Sequence, residues 1–94
     1  MATGARVTLA ENASATGSGF SWPGGKGIFM AEATFGGGTV KLQMKSPNDT
    51  WIDVPGATFT VNRLEQIDLP PGLIRVHITT ATNVYAYAVK TGQT

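Results

Sequence analysis

Three successive glycines, Gly36-Gly37-Gly38, followed by Thr39, are the first residues here that could hold a ligand. A phosphate cradle requires a glycine-rich turn, then Lys and Ser or Thr, then a helix whose amides face the anion. No Lys adjoins Thr39, and Thr39–Lys45 ("TVKLQMK") alternates apolar and polar as a strand does. "WPGGKG" (Trp22–Gly27) also leads into a strand pattern. Both stretches are therefore read as turns, and Gly36–Gly38 as the reversal of a hairpin, where glycine supplies positive φ.

His77 is the only histidine, so no multi-histidine metal site exists. It shares a strand face with Arg75, opposite Ile74, Val76 and Ile78. None of the serines (Ser14, Ser18, Ser21, Ser46) sits in a G-x-S-x-G elbow. Glu65 and Asp68, three apart on a strand, point to opposite faces. Asp49 and Asp53 flank Trp51 across a turn, and Asn48-Asp49 are read as turn formers rather than calcium ligands. No nucleophile, base and orienter assemble, so the chain is not read as an enzyme, and no cofactor or metal is expected. The aromatics are the remaining chemistry. Tyr85 and Tyr87 share one face of the last strand, with Ala86 and Ala88 on the other, a pattern that suits a wet or interfacial surface.

The elements that carry these residues are short strands. "GIFMAEATF", "TVKLQMK", "WIDV", "ATFTV", "EQIDL", "LIRVHIT" and "VYAYAVK" follow one another with turn residues between them. Arg6–Ala10 ("RVTLA") adds one short strand to an otherwise irregular N-terminal arm. This spacing predicts an all-β fold: an antiparallel β-sandwich, jelly-roll or immunoglobulin-like, of seven to eight short strands. Residues 1–26 are expected as the arm and 27–94 as the sandwich domain.

Composition narrows the partners. Charged residues are 14% against 41% hydrophobic, well below the roughly 25% charge of ordinary domains. Such a surface is easily buried against another protein. The net charge is +1, with no Lys/Arg run to engage nucleic acid by counterion release. There is no cysteine, and no apolar run approaches membrane-spanning length, so no membrane partner is expected.

The order "GIFMAEATFGGGTVKLQMKSPNDTWIDV", "ATFT", "IDLPPGLIRVHIT", "VYAYAV" resembles small virion proteins of tailed bacteriophages over roughly Gly27–Val89. That resemblance implies a β-sandwich that decorates or cements the head shell, or serves in a head fibre, tail or tail fibre. The expected partner is the major capsid protein, on the outer surface of a head assembled in the host cytoplasm. Self-association, a trimer included, is left open. The alternative function is a glycan-binding module presenting Tyr85, Tyr87 or Trp51. The expected protein-interface residues are Phe20, Trp22 and Lys26, aromatics and a cation in a Gly/Ser-rich stretch with no evident core strand to join, together with Tyr85 and Tyr87.

Overall fold

A computed structural model describes residues 6–91. Eight strands make up the fold: β1 (Arg6–Ala13), β2 (Phe20–Trp22), β3 (Gly25–Thr34), β4 (Thr39–Lys45), β5 (Trp51–Phe59), β6 (Arg63–Leu69), β7 (Gly72–Thr79) and β8 (Thr82–Lys90). They form two four-stranded sheets, ordered β1-β8-β3-β6 and β2-β7-β4-β5, with every pairing antiparallel. The expected antiparallel β-sandwich is thus present.

Period-2 patterning places the core. In β4, Val40 and Leu42 are fully buried and Met44 partly so, as their alternation with Lys41 and Lys45 requires. In β7, Ile74, Val76 and Ile78 face inward while Arg75 and His77 face out. In β8 the small inward residues Ala86 and Ala88 let the sheets approach closely. Phe29 of β3 stacks on Phe59 of β5 across the sandwich, with ring centroids 5.1 Å apart. Offset aromatic pairs of this kind add roughly 0.5–1.5 kcal/mol beyond the area they bury.

The connections differ from the hairpins that the short turns led us to expect. Only β4 and β5 are both consecutive and paired, joined by a turn in which the Ser46 carbonyl accepts from Asp49 N (2.9 Å). The other connections pass from one sheet to the other, so pairs nest as β4·β5, β3·β6, β2·β7 and β1·β8. Gly36–Gly38 is accordingly a crossover and not a hairpin reversal. Phe35 O accepts from Gly38 N (2.7 Å), and Gly36 (φ 54) and Gly37 (φ 85) adopt the positive φ of a tight turn. Gly38 serves a different need: a Cβ there would lie 2.0 Å from Thr79 O. "WIDV" and "ATFTV", expected as two strands, are one. Pro55 and Gly56 (φ 79) sit inside β5, where its register with β4 shifts between Lys41 and Gln43.

The N-terminal segment needs correction. Its first five residues, like 92–94, lie outside the described residues. The short strand expected at Arg6–Ala10 is present and runs on to Ala13 as β1, which pairs with β8 from Arg6↔Val89 to Ala13↔Val84, and β2 adds a second strand, which pairs with β7, where an irregular arm was expected. Between them, Gly17 N donates to Val76 O (3.1 Å) and Ile78 N donates to Thr16 Oγ1 (3.2 Å). These bonds tie the stretch between β1 and β2, which carries few large apolar residues, to β7. The described residues before Gly27 thus contribute strands to the same two sheets as the rest of the chain.

Candidate interaction face

The solvent side of the β1-β8-β3-β6 sheet carries the strongest candidate. β8 turns Val84, Ala86 and Ala88 inward, which leaves Tyr85, Tyr87 and Val89 outside. β3 buries Phe29 and Ala31 and leaves Ile28 and Met30 half-buried on the same outer side. Register then aligns them. Thr8 lies opposite Tyr87, Tyr87 opposite Met30, and Met30 opposite Leu64, forming one row straight across four strands. A second row joins Val89, Ile28 and Gln66. Tyr85 (47% exposed), opposite the exposed Glu32, and Leu64 (53% exposed) add aromatic and apolar groups to this solvent-facing side. Cross-strand neighbours of this type sit about 4.5–5.5 Å apart, close enough to act as one contact surface.

The five sequence-derived interface residues do not converge. Tyr85 and Tyr87 lie in this face. Lys26 is exposed near the start of β3, opposite Asp68, at the margin of the same sheet. Phe20 belongs to the other sheet, opposite Ile74 on β2, and is 38% exposed. Trp22 is corrected outright as a contact residue: it is 1% exposed and belongs to the core. The short strand β2 turns its indole inward, over Gly27 and beside the Gly72 it pairs with. Ile28, Met30 and Leu64 were missed. "GIFMA" is apolar at every position after the glycine, so alternation alone does not say which of Ile28/Met30 or Phe29/Ala31 faces in.

The outer face of the second sheet carries a polar network, beside which His77 Nδ1 is buried without a hydrogen-bond partner. Asp53 Oδ2 pairs with Lys41 Nζ (3.1 Å), and Asp53 Oδ1 accepts from Gln43 Nε2 (2.9 Å). Gln43 Oε1 in turn accepts from Arg75 Nε (2.8 Å). The Arg75 guanidinium lies 4.4 Å from the centroid of the Trp51 ring, and Lys45 Nζ lies 5.8 Å from it. Trp51 is thus engaged by cations of its own chain. The hydrogen bonds from Gln43 and Lys41 hold the Asp53 carboxyl below its ordinary range. Burial, and then the charges of Lys41 and Arg75, pull His77 below its ordinary value, against a weaker opposing effect of Asp53.

At one end of the sandwich an apolar groove of about 710 Å³ opens between the β4–β5 and β6–β7 connections, lined by Met44, Ile52, Val54, Leu69, Pro70 and Leu73 among others. Among the described residues, no group of three or more His, Cys, Asp or Glu side chains is arranged to hold a metal ion.

What fold and face define is an eight-stranded antiparallel β-sandwich with an apolar, aromatic strip on one outer face. No family model, curated protein or solved structure matches the chain.

Proposed function

We propose that this chain is a structural protein of a tailed-phage virion, a decoration or cement protein that binds the outer surface of the major capsid protein and stabilises the head. The observation that carries this reading is the Tyr87–Met30–Leu64 row with Tyr85 beside it, an apolar strip on a sheet face. Isolated exposed apolar residues are ordinary, but a contiguous strip on a sheet is the kind of surface that a partner covers. The sequence resemblance to small phage virion proteins points the same way. The nested strand pairing supports reading the sandwich as a jelly roll, a fold used by viral capsid proteins and lectins alike.

In this mechanism each copy contributes a modest contact, and a copy that bridges neighbouring capsomers gains by avidity. Sparse charge makes the contact largely apolar, so it persists at moderate salt. The test is occupancy on purified heads. Many copies per particle, lost on Tyr85→Ala with Met30→Lys, are expected; few or none would sink the reading. The pairing of Tyr85 and Tyr87 on one face also fits a glycan-binding module of a head fibre, tail or tail fibre. Glycan-array binding by the isolated chain, lost on Tyr87→Ala, together with empty heads, is the outcome that favours it.

A further inference from the structure

We propose that Ser14–Trp22 is a strap that opens as one unit while the rest of the sandwich stays folded, uncovering the outer edge of β7. The stretch leaves β1 in the first sheet, crosses to the second and ends in β2, the three-residue edge strand that lies on β7. Both of its ends are marked in the backbone. Asn12 (φ 51) precedes it, and Gly24 (φ 92) and Gly25 (φ 102) follow it, all in the left-handed region. β1 also shifts register against β8 between Ala10 and Ala13, just ahead of the strap.

Little of the strap is buried. Ser14 through Ser21 are exposed or half-buried, and only Trp22, 1% exposed, enters the core. Ahead of β2, Gly17 N donates to Val76 O and Thr16 Oγ1 accepts from Ile78 N. Gly19 rests on the Trp51 ring, where a Cβ would lie 3.2 Å from Cη2. Two of the nine strap residues are glycines, which regain the most backbone freedom when released.

The anchor is itself imperfect. Trp22 is the one fully buried side chain of the strap, yet its Nε1 is buried without a hydrogen-bond partner among the described residues. Water would satisfy that N–H in the open form, so its burial raises the free energy of the closed form relative to the open one. Segments with few buried apolar contacts and solvent-exposed backbone hydrogen bonds open below the free energy of global unfolding. β7 does not leave with the strap, because its other side stays paired with β4 from Thr39↔Thr79 to Met44↔Ile74. The closed strap therefore covers an edge that would otherwise be an unpaired ladder, and opening exposes it.

Native-state hydrogen exchange on the isolated chain tests this. The Gly17 amide, the Ile78 amide and the Trp22 indole N–H are each shielded by the closed strap. They are expected to share one protection factor, about tenfold or more below that of the β3–β8 amides, and to be insensitive to low urea. Because the chain has no cysteine, Ser21→Cys with Leu73→Cys can lock the strap. These two residues are opposed across β2 and β7, and opposed Cα atoms about 4.5 or 5.5 Å apart lie within the range of about 4.4–6.8 Å that a disulfide spans. Oxidation should raise all three protection factors about tenfold or more, towards those of the β3–β8 amides, and reduction should return them. Circular dichroism checks that both forms are folded. Wild-type protection equal to that of the β3–β8 amides would overturn the proposal. So would three unequal protection factors, which mean fraying from one end, or a locked chain whose Gly17 and Ile78 amides exchange as before. Heads play no part in the measurement, so it fails or succeeds separately from the docking reading.

Discussion

The indole of Trp22 lies directly over Gly27: a Cβ at position 27 would sit 2.6 Å from Trp22 Cη2 and 2.5 Å from Val89 O. A residue in the shortest strand is thereby seated against the sheet opposite its own, and the N-terminal segment is fastened to the sandwich. Gly27→Ala is expected to destabilise the chain by about 1–3 kcal/mol, the usual cost of overpacking a filled core. Trp22→Ala, which empties the site, is expected to cost about 3–5 kcal/mol. Urea unfolding followed by fluorescence or circular dichroism measures both. A Trp22→Ala variant as stable as the wild type would contradict the buried position.

The triple glycine separates two physical requirements. Gly36 and Gly37 have open space around the Cβ position, so a substitution there costs only the positive φ, roughly 1–2 kcal/mol for Gly37→Ala. Gly38 packs against the β7–β8 connection, where a Cβ would also meet Ala81 N at 2.7 Å. Gly38→Ala is therefore expected to be the more damaging of the two, with backbone displaced on both sides. Comparing the two melting temperatures checks the order, and no nucleotide-binding assay should respond to either.

His77 gives the fold a pH dependence with a defined sign. Its folded pKa lies below 6.5, because burial and the cations Lys41 and Arg75 disfavour the imidazolium more than Asp53 favours it. Above about pH 6.5 the imidazole is neutral in both folded and unfolded chains, and its stability contribution is complete. As pH falls through that value the unfolded chain takes up a proton that the folded chain resists, and stability declines. Below the folded pKa the loss is constant. Asp53 acts at lower pH: its depressed carboxyl stabilises the fold above 3.8, and that contribution is lost as pH falls through its folded pKa. His77→Gln is expected to flatten the stability profile between pH 7 and 5 and to leave the more acidic limb in place. Denaturant titrations across that range test it; an unchanged slope would show that His77 is not the group responsible.

The proposed docking face calls for variants that alter binding and spare the fold. Tyr85 is half exposed and Met30 points to the outer side of β3, so Tyr85→Ala and Met30→Lys should retain the native melting profile within about 0.5 kcal/mol. If Tyr85 is an interface anchor, its truncation should weaken head binding by about 2 kcal/mol, roughly thirtyfold. Lys26→Ala, at the margin of the sheet, should change affinity much less. Release of the wild-type protein from heads at a few hundred millimolar salt would contradict an apolar contact.

The strands that were legible in the sequence are those with one apolar and one polar face. Thr39–Lys45 and Gly72–Thr79 declare their inner residues by alternation, and Tyr85/Tyr87 against Ala86/Ala88 divide in the same way. Where both faces are apolar, as in Ile28–Ala31, alternation is silent, and the outward position of Ile28 and Met30 came from packing alone. Where neither face is apolar, as around Ser14–Gly19, alternation gave no sign of the hydrogen bonds to β7, one of which Thr16 Oγ1 accepts.

Local sequence therefore determined that this chain is all-β, where most strands lie and which side of several faces inward, because those properties follow from neighbours two residues apart. Tertiary structure decided which strands pair. The turn at Gly36–Gly38 has the residues of a hairpin, yet β3 and β4 enter different sheets, because a tight turn fixes a change of direction and not the partner found afterwards. It also decided that Trp22 is core, that Arg75 covers Trp51, and that Thr8, Tyr87, Met30 and Leu64 form one row. Each depends on register between strands distant in the chain, which residue type and spacing do not encode.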